Sequence, residues 1–122
     1  PGAPVPPGGG HEYVLDYEAY VTDVAPVLAA RGCDTVACHG GGIRGTYALS
    51  PADDKDFPFD FAQARLQVLP AAPATSPLLQ KPLDPAAGGA AHAADPQQSG
   101  FPATSDPGYQ AILAWIEAGE YR

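Results

Sequence analysis

The 122-residue sequence contains no methionine, few basic residues and no long apolar run. Lys and Arg number six against 14 Asp and Glu, which gives a net charge of -8 when the histidines are neutral. An acidic chain of this kind is poorly suited to neutralise phosphates, which argues against binding to nucleic acid or directly to anionic lipid. No apolar stretch approaches the ~20 residues that a membrane-spanning helix requires.

The N-terminus also lacks the apolar segment of a secretory signal peptide. Residues 1–10, PGAPVPPGGG, carry no charge and one large apolar side chain, so we interpret them as a flexible Pro/Gly-rich leader. We expect a signal peptide to have been removed, and we predict a periplasmic or extracellular location. Residues 11–122 are predicted to form one domain, because this length is too short for two ordinary ones.

Large hydrophobic side chains are scarce for a chain of this length. Gly and Pro, with 14 and 15 residues, make up about a quarter of the sequence, and alanine dilutes the remaining apolar content. Because fixing the backbone costs ~1–2 kcal/mol per residue, a loop-rich chain with a thin core needs a disulfide, a metal or a cofactor. The two cysteines are the first place to look for it.

The sequence predicts a mainly α, loop-rich fold, and nothing in it indicates a strand. Apolar side chains at helical spacing, together with caps and breakers, predict helical segments over residues 11–31, 60–69, 77–79 and 107–118. We expect the first segment to pack on the last around Tyr109, Ile112 and Trp115, since neither can bury its apolar stripe alone. The acidic run at residues 53–56 is interpreted as a solvated loop rather than a calcium site, because the EF-hand spacing is missing.

The first helical segment contains a proline, and two interpretations of it stay open. Either a helix begins near Asp23 as its N-cap, or a longer helix is kinked at Pro26. In both cases Gly32 is expected to end the segment as a C-cap glycine. The later helices are predicted to begin at Asp60 and Asp106 as N-caps.

The segment that carries chemistry surrounds the two cysteines. Cys33 and Cys38 bracket four residues, and His39 follows the second cysteine directly. The common haem-attachment motif has two residues between its cysteines, but the chemical requirement is the same with four. Two thiols add to the vinyl groups of haem, and the adjacent histidine becomes the proximal ligand of the iron. The two additional residues can form a wider loop without changing the Cys-His pair.

Three other interpretations use the same residues. Cys33 and Cys38 can form a disulfide, which is common in an extracellular chain. Cys33, Cys38, His39 and His92 can hold zinc, although neighbouring side chains rarely point at one metal. A redox-active dithiol is the third, with a spacing that differs from Cys-x-x-Cys. The alternative to electron transfer is therefore a disulfide- or zinc-stapled extracellular interaction module without redox activity.

Several segments resemble a known family. They are residues 17–20 (YEAY), 23–28 (DVAPVL), 31–33 (RGC), 76–79 (SPLL), 81–83 (KPL), 88–92 (GGAAH) and 109–119 (YQAILAWIEAG). Together with the Cys-His pair they are similar to class I cytochrome c-like domains with a CxxxxCH motif. Such domains occur in planctomycetes and myxobacteria, often inside larger secreted proteins. The resemblance extends over roughly residues 13–119.

This resemblance implies a small helical domain around one covalent haem c, bound by Cys33, Cys38 and His39. It implies an electron carrier rather than an enzyme, and the sequence offers no acid-base pair for peroxide chemistry at an open iron. The partners would be other redox proteins. Whether the domain acts alone, in a membrane-bound complex or in a multihaem assembly stays open.

The sixth iron ligand is predicted by elimination, because methionine, the usual partner, is absent. The remaining histidines are His11, beside the leader, and His92, in a long loop of small residues. We predict His92 as the second axial ligand, and the similar family has a histidine at the matching place. Residues that could donate to the haem propionates are Arg44, Arg65, Lys81, Tyr47 and Trp115.

Overall fold

The computed structural model describes residues 12–34, 39–40, 47–89 and 100–122 of the chain. Within these ranges the elements are β1 (Tyr13–Val14), α1 (Tyr17–Ala19), a π-helical turn (Tyr20–Val24), α2 (Ala25–Ala30), α3 (Phe57–Arg65), a 3-10 turn (Pro73–Thr75), α4 (Pro77–Gln80), a second 3-10 turn (Pro85–Ala87), α5 (Pro107–Glu117) and β2 (Glu120–Tyr121). The predicted mainly α fold is confirmed. None of the helices in these ranges is long and apolar enough to cross a membrane.

The first helical segment is continuous and widens just before its proline. Asp16, not Asp23, is the N-cap, because its carboxylate accepts a hydrogen bond from a backbone amide of the first turn. In the π-helical turn the amide of Ala25 donates to the carbonyl of Tyr20, five residues earlier. A proline ring collides with the carbonyl four residues earlier in a regular helix, and the wider turn before Pro26 relieves that crowding. The alternative of a helix beginning near Asp23 is therefore wrong.

Helix α3 lies earlier in the chain than the predicted segment over 60–69. It spans Phe57–Arg65, and the side chain of Asp56 caps it. Pro58 occupies its first turn, where the missing amide hydrogen has no cost. Asp60, predicted as the cap, lies inside the helix and is buried, with 1% of its surface exposed. That burial gives Asp60 a different role, described below.

Helix α5 begins as predicted. The carboxylate of Asp106 accepts hydrogen bonds from the amides of Gly108 (2.9 Å) and Tyr109 (3.2 Å). Gly119 follows the helix where a side chain has no room, since a Cβ atom there would lie 2.5 Å from the ring of Tyr13. This close contact brings the end of α5 onto β1.

Two short strands join the ends of the described chain, and the sequence did not indicate them. β1 and β2 pair antiparallel, with Tyr13 opposite Tyr121 and Val14 opposite Glu120. The amide of Arg122 extends the ladder by donating to the carbonyl of Glu12 at 3.0 Å. Two-residue strands are too short to show the alternation by which strands are recognised.

The core forms where the α1–α2 segment crosses α5. The rings of Tyr20 and Trp115 lie 5.5 Å apart, and Phe61 of α3 packs against both. The indole N–H of Trp115 donates to the carbonyl of Asp16 at 2.9 Å. Ile112 and Tyr109 are also buried, so the predicted packing of the first helix on the last is confirmed.

Candidate functional site

The first cysteine of the motif is placed by the end of helix α2. Gly32 adopts the left-handed conformation, with φ of 72°, and its amide donates to the carbonyl of Ala29 at 3.0 Å. The amide of Cys33 donates to the carbonyl of Leu28 at 2.9 Å. These two hydrogen bonds form a Schellman motif, so the predicted C-cap glycine is confirmed. Cys33 is thereby fixed one residue beyond the helix cap.

His39 is held through both its backbone and its ring. Its amide donates to the carbonyl of Cys33 at 2.9 Å, which closes the loop between the two ends of the motif. Its carbonyl accepts from the amide of Leu49, also at 2.9 Å. The ring nitrogen Nδ1 lies 3.0 Å from the carbonyl oxygen of Tyr47. Because a carbonyl oxygen only accepts, Nδ1 carries the proton and Nε2 has the lone pair that can ligate a metal.

Tyr47 contributes a second feature through its side chain. Its ring lies 4.9 Å from the imidazole of His39, and its hydroxyl is buried without a hydrogen-bond partner among the described residues. Burial raises the pKa of this hydroxyl well above its usual value, with smaller contributions from Tyr20, Cys33 and Asp60. The phenol is therefore a protonated, buried donor beside the motif, and buried donors in folded proteins normally have an acceptor.

The other predicted ligands lie outside the described residues. This applies to Cys38, His92 and His11, so the structure brings together Cys33 and His39 of the predicted set. In the described part of the chain, no group of three or more His, Cys, Asp or Glu side chains could hold a metal ion. The zinc alternative requires Cys38 and stays a prediction.

The candidate propionate donors have different surroundings. The indole of Trp115 already donates to the backbone within the core, so its role there is structural. Arg65 is exposed and pairs with Glu12 at 2.6 Å, and Lys81 is also exposed. Arg44 lies outside the described residues. Tyr47 is the candidate whose donor is buried beside the motif.

Arg31 connects the motif to the start of α5. One guanidinium nitrogen donates to the carbonyl of Gly100 at 2.7 Å, and another pairs with the carboxylate of Asp106. The guanidinium also lies over the ring of Phe101, 5.6 Å from its centroid. Because Arg31 is two residues before Cys33, these contacts fix the end of α2 against the C-terminal part of the domain.

A buried charge cluster, which the sequence pattern does not indicate, lies next to the motif. The ammonium of Lys55 is 3.2 Å from the carboxylate of Asp34 and 2.9 Å from that of Asp60. Asp60 also accepts from the amide and the hydroxyl of Ser50, both at 2.7 Å. We refer to Asp34, Ser50, Lys55 and Asp60 as the Lys55 cluster. The acidic run at 53–56 gave no indication that its lysine turns inward toward two carboxylates.

Comparison of the chain with protein-family models, with curated proteins and with solved structures finds no match. The similarity to CxxxxCH cytochrome c domains therefore stays a prediction from the sequence segments quoted above. The function has to be argued from the motif and from the contacts of its described residues.

Proposed function

We propose that this domain is an electron-transfer protein that carries one covalently attached haem c outside the cytoplasm. In this proposal Cys33 and Cys38 form the thioether links, His39 is the proximal ligand and His92 is the second axial ligand. The fold would then be a small cytochrome c-like domain around that group. The large apolar surface of haem would add to the core that forms around Tyr20 and Trp115.

The observation that carries the proposal is the hydrogen bond from His39 to the carbonyl of Tyr47. Histidines that bind metals commonly donate their other ring N–H to a carbonyl or carboxylate, which fixes the tautomer and the ring orientation. His39 has this arrangement immediately after the second cysteine of the motif.

Two further features near the motif support the binding of haem. The Schellman motif places Cys33 at a fixed position six residues before His39, and the amide of His39 returns to the carbonyl of Cys33. The buried hydroxyl of Tyr47 lacks an acceptor among the described residues, and the carboxylates of haem are acceptors. The fixed position of Cys33 and the buried donor of Tyr47 beside the motif support the proposal.

Bound haem would supply a one-electron couple at its iron. Of the chain's own residues, His39 would ligate the iron in a fixed tautomer, and Arg31 and the helix cap would hold the motif in place. The net charge of -8 favours a redox partner with a basic docking patch. We propose the role of an electron carrier rather than that of an enzyme.

The decisive experiment is a mass measurement on the chain exported to a bacterial periplasm together with a cytochrome c maturation system. Denaturing mass spectrometry should give the polypeptide plus one haem, and the protein should show a Soret band. The variants C33A and C38A should each lose one thioether link, whereas T35A, within the same loop, should keep both. An apo mass with an intact disulfide, or a bound zinc ion, would support the interaction-module alternative and overturn the proposal.

A further inference from the structure

The Lys55 cluster holds more negative than positive charge in a buried place. The side chains of Asp34 and Asp60 are 4% and 1% exposed, and that of Lys55 is 22% exposed. Asp60 accepts two hydrogen bonds from Ser50 and forms an ion pair with Lys55, and Asp34 accepts one hydrogen bond from Lys55. Two carboxylates against one ammonium leave a net charge of one negative unit. Charge in such a place is screened by water far less than charge at the surface.

This net charge lies beside the motif rather than elsewhere in the domain. Asp34 directly follows Cys33 in the chain, and Lys55 joins it to Asp60 on α3. The pKa of Tyr20 is raised first by burial and then by Asp60, Asp34 and Cys33, which shows that these groups share one neighbourhood. The pKa of Tyr47, the partner of His39, is raised by burial and also by Cys33 and Asp60.

We propose that Asp34 and Asp60, bridged by Lys55, favour the oxidised state of the centre bound at Cys33 and His39. The inference rests on the proposed function. A haem held by Cys33 and His39 would take one electron from a redox-protein partner, which would be oxidised, so the centre would gain one negative charge. A buried negative charge opposes that addition and lowers the reduction potential. Asp34 and Asp60 would act through their electric field at this centre.

The test is the midpoint potential of the loaded protein in neutral variants of the cluster. D34N is the primary variant, because the amide oxygen of asparagine can still accept from Lys55. D60N, on α3, is the second, and its effect is coupled to that of D34N because both carboxylates pair with Lys55. Both should raise the midpoint potential. D34E keeps the negative charge, so its midpoint potential should be closer to that of the native protein than the potential of D34N is.

D54N is the matched control, since Asp54 is an exposed aspartate one residue before Lys55. Its midpoint potential should stay close to that of the native protein, because surface charge is screened by solvent. Urea unfolding of each variant separates stability from potential. A role of the cluster that is only structural would lower the stability of D34N and D60N without raising both potentials.

The two possible failures are distinguishable. A native chain that leaves the maturation system without haem overturns the proposed function and this inference with it. A loaded native chain whose D34N variant has the same midpoint potential as D54N overturns the inference alone. If D60N fails to fold, the comparison of D34N with D34E and D54N decides the question.

Discussion

His39 and Tyr47 contact each other in two independent ways. The carbonyl oxygen of Tyr47 lies 3.0 Å from Nδ1 of His39, and the ring of Tyr47 lies 4.9 Å from the imidazole. The hydrogen bond uses the backbone, so it survives any side-chain change that leaves the local fold intact. Substitution of Tyr47 by Phe therefore removes the phenol while the support of the imidazole remains.

Because Y47F removes only the phenol, this variant can test how the stability of the domain depends on pH. The pKa values of Tyr20 and Tyr47 are raised in the folded protein, chiefly by burial. The unfolded chain releases its phenolic protons near pH 10, whereas these two residues retain theirs. The contribution of these protonated phenols to the free energy of unfolding is thus fully present below about pH 10 and is lost as the pH rises above it. The free energy of unfolding, measured in urea from roughly pH 8 to pH 11, should fall at the upper end of this range.

Y47F should make that fall shallower, because one of the tyrosines whose pKa is raised by burial is removed. Y17F is the matched control, since Tyr17 is exposed at the surface, and its profile should follow that of the native protein. A Y47F profile identical to that of the native protein would contradict the burial of the hydroxyl.

The left-handed glycine before the motif offers a second prediction. G32A forces a Cβ atom into a backbone with φ of 72°, which should lower the free energy of unfolding by about 1–2 kcal/mol. It should also reduce the yield of haem attachment at Cys33, because the cap that places the cysteine is strained. Denaturant unfolding and the haem-to-protein mass ratio measure the two effects.

Gly88 provides the control for this variant. It also has a positive φ, of 98°, and a Cβ atom there would meet nothing within 4 Å. G88A should therefore have a similar cost in stability but a normal yield of haem attachment. Equal loss of attachment in both variants would mean that the cap does not place Cys33.

Trp115 supports a prediction about the core. Its ring is 4% exposed and packs on Tyr20, so W115A should cost ~3–5 kcal/mol. W115F keeps most of the packing but loses the hydrogen bond to the carbonyl of Asp16, and it should cost less. L66A, at a side chain that is 72% exposed, should change stability by less than about 0.5 kcal/mol. A W115A effect as small as that of L66A would contradict the packing described here.

The predicted second ligand is tested by spectroscopy. H92A should convert a low-spin ferric spectrum to high spin and allow cyanide or imidazole to bind, because the sixth position of the iron loses its ligand. H11A should leave the spectrum unchanged. The opposite pattern, with H11A high-spin and H92A native, would assign the ligand to His11. Two imidazoles should also give a lower midpoint potential than a histidine-methionine pair.

The features that the sequence predicted correctly depend on neighbouring residues. Asp106 caps α5 within one turn, and α2 ends at Gly32, where the amides of Gly32 and Cys33 donate to the carbonyls of Ala29 and Leu28. Such local geometry is encoded in a few adjacent side chains. The start of α3 was misplaced because Asp56 and Asp60 are both capable caps, and only tertiary burial distinguishes them.

The Lys55 cluster could not be predicted, because its contacts join distant parts of the chain. Lys55 and Asp34 are 21 residues apart, and no local pattern distinguishes a lysine that turns inward from one in a solvated acidic loop. The hydrogen bond from His39 to Tyr47 could not be predicted from the sequence either, because its acceptor is a backbone carbonyl, which every residue has. The motif predicts haem attachment, whereas the contacts around Cys33 and His39 depend on the fold.

The β1–β2 ladder has a mechanical consequence. Because the strands run antiparallel, Glu12 and Arg122 lie side by side at one end of the ladder. A force that pulls these two residues apart would load the ladder bonds one after another, as in unzipping, rather than all together as in shear. The β1–β2 ladder would therefore open first. After it has opened, the packing of Tyr20 on Trp115 would resist further extension.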